Sequence, residues 1–350
     1  MRRTMLLLST FLVTAGAAQA EAPTAAETEG LAAVKAFTLE HSTALADGAA
    51  KLHEDVVAYA AIIAAHGGDH AAAWEAQGPE IAAAITEIRK QWLAAHDQYE
   101  TIEGVVAGLS ATVKYDLVLD AGNPGTDDED VAEYDLTLPD GTVLERPGNL
   151  FHAITEPLLW GTDEGGVKLK ADLDGDGSIG AGEVLFDENL AVGATAALEE
   201  WARALQADVA AWEPSRDDAF TAVVTMTPTV GDYFGEWKES QYVGGLGEAF
   251  VARSRLFDVQ GIMSGCQRMY DNAISPVLLA GGDDALDASI RGGFDELMSL
   301  VGDTIERETA GETFGGEEAD ALAAESQDIA ERIVAQILQA AAKYDVNIEG

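Results

Sequence analysis

One cysteine in 350 residues, Cys266, leaves no intramolecular disulfide to hold this chain together. Basic residues are scarce: 20 lysines and arginines stand against 62 aspartates and glutamates, a formal charge of −42. Nucleic acid and anionic membrane surfaces would be repelled, so partners of those kinds are excluded, whereas cations are drawn in. Long apolar runs are also missing. The longest early one, Met5 to Val13, is too short to cross a bilayer, and no later stretch reaches the roughly 18 residues a span needs. Preceded by Arg2-Arg3 and followed by Ala18-Gln19-Ala20, that run reads as a secretory signal peptide over residues 1–20. The remaining chain is expected to start near Glu21 and to be soluble, periplasmic or secreted. No lipid anchor is expected, because the residue after the expected cut is not cysteine.

Strand text is equally sparse, confined to the alternation in Tyr134–Leu138 and Thr142–Leu144 around Pro139-Asp140-Gly141, which predicts one small hairpin. Helical periodicity fills the rest. Thr28 to His66 reads as one long helix with a break at Gly48. A second starts with Pro79 in its first turn and carries Ile81, Ile85, Ile88, Trp92, Ala95, Tyr99, Ile102 and Val106 along one stripe, with His96, Glu100 and Glu103 on or beside it. His41, His53, His66 and His70 have no joint spacing with carboxylates. Leu190–Trp212 is helical up to Pro214, and four further segments follow: 233–242, 250–274, 286–309 and 317–344. The expected class is all-α, as two helical bundles over residues 21–212 and 213–350, the second repeating the helical manner without sequence repetition.

Two motifs carry chemistry. In Pro147-Gly148-Asn149-Leu150-Phe151-His152-Ala153-Ile154-Thr155-Glu156-Pro157-Leu158-Leu159-Trp160-Gly161, His152 and Glu156 are four residues apart and share one helix face, a spacing that suits one cation. An isolated pair of this kind also fits an exposed helix surface. Downstream, residues 172–183 match the twelve-residue calcium loop of EF-hands. Asp172, Asp174 and Asp176 supply side-chain oxygens, Gly177 the sharp turn, Ser178 a backbone carbonyl and Glu183 the closing carboxylate, while Gly180 leaves the ninth place to water. A solvated acidic turn accounts for the charge but not for the glycine at place six or the glutamate at place twelve.

Phe151-His152-Ala153-Ile154 followed by Leu158-Leu159-Trp160-Gly161 resembles the His-x-x-Glu helix of the imelysin-like, M75 peptidase family, near its periplasmic iron-uptake branch. Arg89, Trp92, Tyr99, Ile102 and Glu103 are similar to that family's N-terminal Trp and Tyr-x-x-x-Glu helix. Asp232–Lys238 and Arg255–Gly261 are similar to its C-terminal bundle. There are departures. The family's glutamate falls on Thr155, with Glu156 one place later before Pro157, as though one residue were inserted. Leu150 replaces a glycine, Arg255 stands where an acid is usual in the iron branch, and the calcium loop is outside the pattern. Pro157 implies a kinked or bulged turn around Glu156.

The resemblance and the motifs lead to three functions. The first is a periplasmic binding protein that handles iron, zinc or another cation at Glu103, His152 and Glu156 and is braced by calcium. The second is a metallopeptidase, as the family name implies, although no His-Glu-x-x-His or equivalent zinc constellation is legible. The third is a non-enzymatic, calcium-stabilised module for a polysaccharide or protein. Metal ions are the expected ligands, and other periplasmic or outer-surface proteins the expected macromolecular partners.

Overall fold

The computed structural model describes residues 23–126, 130–245 and 250–349; residues 1–20, read above as a signal peptide, lie outside them. Helix α1 (Ala25–Ala65) opens on a reciprocal cap in which Thr24 and Glu27 each satisfy the other's backbone N–H. It does not break at Gly48. A Cβ there would sit 3.2 Å from Ala95 Cβ, so the glycine lets the next helix come close. That helix, α2 (His70–Val106), is capped by Asp69 and starts before Pro79. The chain kinks at Gln77 (φ −138°, ψ 28°), which takes up the strain of a proline inside a helix.

After α3 (Val113–Leu119) comes the expected hairpin, β1 (Asp135–Thr137) against β2 (Val143–Glu145), antiparallel with Leu136 opposite Leu144. A π-helical turn, Leu150–Thr155, then runs into the short helix α4 (Glu156–Trp160). A second hairpin, β3 (Val167–Lys170) with β4 (Val184–Phe186), was not foreseen. Its β4 is buried on both faces and shows no alternation, and the acidic glycine-rich text between the strands reads only as loop. The calcium-type loop is therefore carried by a β-hairpin and not between two helices. Helix α5 (Glu188–Ala211) closes this half.

The rest comprises α6 (Arg216–Met226), α7 (Val230–Glu239), α8 (Arg255–Met269), a second π-helical turn (Tyr270–Ile274), α9 (Ser275–Ala280), α10 (Asp284–Thr309) and α11 (Gly316–Lys343). The all-α class holds. Two apolar cores form. One is built around Trp92, Tyr99, Phe151 and Leu198, the other around Phe220, Trp237, Phe294 and Ile333. Leu31 and Val34, in the first turns of α1, belong to the second core, so α1 ties the halves together. At the seam α2 crosses α8 so closely that a Cβ on Gly104 would lie 2.4 Å from the Ile262 carbonyl oxygen.

Contrary to expectation, the halves do share a repeat. Residues 153–161, AITEPLLWG, align without gaps on 273–281, AISPVLLAG. Each stretch leaves a π-helical turn, enters a short α-helix with proline in its first turn and ends at glycine.

Candidate metal centre

The π-helical turn solves the problem of the displaced acid. Asn149 caps it, its Oδ1 accepting from the N–H groups of His152 (2.7 Å) and Ala153 (3.1 Å). Inside it the Thr155 hydroxyl donates to Leu150 O at 2.7 Å, and the Glu156 N–H reaches back five residues to Phe151 O. The wider turn accommodates one residue more than an α-turn and keeps Glu156 beside His152, with Nδ1 to Oε2 at 2.8 Å. Pro157 falls in the first turn of α4, where a missing N–H costs nothing.

One face of α2 meets this turn with Arg89, Trp92, His96 and Glu100, spaced by three and four residues. The Trp92 indole N–H donates to Thr155 Oγ1 at 2.6 Å, and the His96 ring stacks on the indole with centroids 4.8 Å apart. Arg89 donates to Leu159 O at 2.7 and 3.0 Å and to Gly182 O, tying α4 to the end of the calcium-type loop. Trp160 lies beneath that guanidinium at 5.5 Å.

Four buried groups converge here: His96, Glu100, Asp120 and His152. His96 Nε2 lies 3.0 Å from His152 Nε2 and 3.1 Å from Asp120 Oδ1, and His152 Nε2 is 3.4 Å from that same oxygen. Glu100 Oε1 is 2.9 Å from His96 Nε2, yet neither Glu100 oxygen finds hydrogen-bond geometry with any partner. A carboxylate 1 % exposed with both oxygens orphaned is costly unless a cation answers it. Ligands about 2.0–2.2 Å from one tetrahedral ion would stand about 3.3–3.6 Å from each other, close to the spacings found. Two imidazoles and two carboxylates thus fit a transition ion of the iron or zinc class.

The charges in the centre pull against one another. Burial opposes charge on His152, but Asp120 and Glu156 outweigh it and push its pKa up to about 10. His96 is raised as well, burial being overcome by Asp120 and Asp258. Burial, then Asp120 and Asp258, holds Glu100 well above the usual carboxylate range. Asp120 goes the other way: burial disfavours its charge, but His152 and His96 draw it well below that range.

The imelysin profile (Peptidase_M75) matches residues 38–337, which takes in most of both cores and all four convergent residues. This chain belongs to the imelysin family. Curated proteins yield no match to it. Among the described residues of this imelysin-family chain, no helix is long and apolar enough to cross a membrane.

Of the residues singled out from the sequence, only His152 stands among the four. Glu156 sits behind it, accepting from the N–H groups of Phe250 (2.9 Å), Val251 (2.9 Å) and Ala252 (2.8 Å) as well as from His152. Glu103 is buried but turned to Tyr233, whose hydroxyl donates to it at 2.7 Å. Thr155 faces Trp92. In the hairpin loop, Asp172, Asp174 and Glu183 each bring a carboxylate oxygen within 4.8 Å of the others. Asp176 accepts instead from the Ser178 N–H at 2.7 Å. His96 and Glu100 carried a signal that went unused: a His and a Glu four apart on the apolar face of a helix, the very pattern that marked His152 and Glu156. Asp120, just past the end of α3, has no local signature.

The repeated turn offers a contrast. Ser275, the counterpart of Thr155, receives Arg291 Nη2 at 2.7 Å, and the same guanidinium pairs with Asp287 and Asp271. There the chain supplies its own cation.

Proposed function

We propose that this imelysin-family chain is an extracytoplasmic metal-binding protein that takes up one iron- or zinc-class ion at His96, Glu100, Asp120 and His152. The Glu100 carboxylate carries this reading: it is buried without a hydrogen bond, with His96 Nε2 at 2.9 Å and Arg255 Nη1 at 3.8 Å as the cationic groups beside it. A peptidase is less well supported. Four buried protein ligands suit holding an ion, and Glu156, the nearest further carboxylate, is tied by three backbone N–H groups and His152, so it is not free to activate water. Metal analysis of the purified protein should find one iron or zinc per chain; a protein that takes up neither would refute the reading.

Protons compete for the same atoms. With the His152 pKa near 10 in the empty centre, binding at pH 7 must displace a proton, so affinity should rise with pH. The empty protein should respond in the opposite sense. Stability from a raised histidine is fully present below its unfolded value of about 6.5 and is lost as pH climbs through the folded one. Calorimetric titrations in buffers of different ionisation heat should show proton release; heats independent of buffer would contradict it.

We also propose a calcium ion at Asp172, Asp174, Asp176, Ser178 and Glu183. The loop's three glycines at positive φ, Gly175, Gly177 and Gly182, turn its backbone as this reading requires, and Glu183 folds back over Asp172 and Asp174. Because Arg89 joins the loop to α4, calcium here would brace the turn that carries His152. Glu183→Gln removes the closing carboxylate and should weaken calcium binding by about tenfold or more. Equal calcium heats for wild type and variant would remove the site.

A further inference from the structure

A cavity of about 390 Å³ opens along the seam between α2 and α8. Glu100 is one of its lining residues, and its carboxylate, whose oxygens are buried and have no hydrogen-bond partner, lies behind that wall. Asp97, three residues earlier on α2, stands at its outer side with its side chain 44 % exposed. Thr101, Gln260 and Ser264 supply neutral oxygens along the walls. Arg253 reaches across the cavity, one terminal nitrogen on Asp97 and the other 3.0 Å from Asp258, while its buried Nε is left without a partner.

We propose that this cavity is the route by which the ion reaches and leaves the centre, with Glu100 as the receiving ligand and the Arg253–Asp97 pair setting the rate. The proposal rests on the metal reading above. A hydrated cation gives up water readily only where oxygens replace it, and a dry passage would impose a heavy desolvation penalty. An exposed acid, neutral oxygens and a buried carboxylate without a hydrogen-bond partner can provide that replacement. Of the four convergent residues, Glu100 is the one that lines this cavity, so it can hold an ion from the cavity side before the imidazoles close on it. The Arg253 guanidinium repels a bare cation from the same space until its pair with Asp97 opens. Beside the cavity the seam is close-packed: a Cβ on Gly261 would stand 3.2 Å from the Glu100 backbone.

Cobalt(II) is a suitable probe, followed by stopped-flow absorbance on the full chain, with a chelator chase for release. Ser264→Trp fills the cavity without touching a ligand and should slow association and dissociation together by about tenfold, leaving Kd unchanged. Arg253→Gln should speed both. Met298→Trp plugs the cavity from α10 and serves if the first variant fails to fold. Wild-type rates in a folded plug variant would overturn the route, and so would a changed Kd at unchanged association rate, which would make the cavity part of the site and not the way to it. Failure of wild type to bind cobalt(II) would count against the metal reading instead.

Discussion

His96→Ala is expected to abolish binding of the transition ion, whereas Glu103→Gln is expected to leave it intact. The two substitutions separate the set of residues that the fold assembles from the set that the sequence suggests. His96 Nε2 is within 3.1 Å of three other candidate ligand atoms, so its removal opens the centre on one side. Loss of a partner behind a ligand costs 10- to 100-fold in affinity, and loss of a ligand itself should exceed about 100-fold. Glu103 is different. Burial first, then Glu100 and Asp116, holds its carboxyl well above the usual range, and it accepts from Tyr233. A neutral glutamine can accept the same bond, so little changes. Equilibrium dialysis against zinc or iron(II) gives the answer directly. Binding retained in His96→Ala, or lost in a folded Glu103→Gln, would restore the sequence-based set.

The structure places Glu103 apart from His152 for a physical reason. His152 and Glu156 are joined by one turn of helix, so a local pattern is enough to connect them. The long helices were legible for the same reason: Ile81, Ile85, Ile88 and Trp92 mark a stripe that local geometry repeats. Glu103 lies on that stripe too, but it sits seven residues, about two turns, beyond His96 and so faces α7 instead of the π-helical turn. Asp120 joins only because α3 folds back on α2, a tertiary event with no imprint in the neighbouring residues. The second hairpin was illegible because burial on both faces erases alternation in β4. The repeat in the second half was hidden because it spans nine residues and exchanges Glu156 for Pro276, Pro157 for Val277 and Trp160 for Ala280.

Glu156→Gln is expected to keep the fold and lose the metal, the sharper of two tests of how His152 is held. Glu156→Ala is the blunter one. It strands three backbone N–H groups and the His152 Nδ1–H in a buried setting, and should destabilise the protein by about 3–5 kcal/mol. Glutamine preserves the shape and lets a tautomer report. One oxygen of Glu156 accepts from both Val251 and Ala252, the other from Phe250 and His152. The amide oxygen should take the first place, where the alternative orientation would set two N–H donors against an NH₂ group. The NH₂ group then points at His152 Nδ1, which must accept, so a remaining ring proton sits on Nε2, and the Phe250 N–H loses its acceptor. That nitrogen is the one aimed at the other ligands, so a protonated Nε2 cannot donate electrons to an ion. Nitrogen-15 NMR of the imidazole should show Nδ1 stripped of its proton in the variant, and dialysis should show affinity reduced by about 100-fold in a protein that stays folded. A Glu156→Gln protein that binds metal as tightly as wild type would mean that Glu156 does not set the state of His152, and the displaced acid would then serve only to dock the 250–252 backbone.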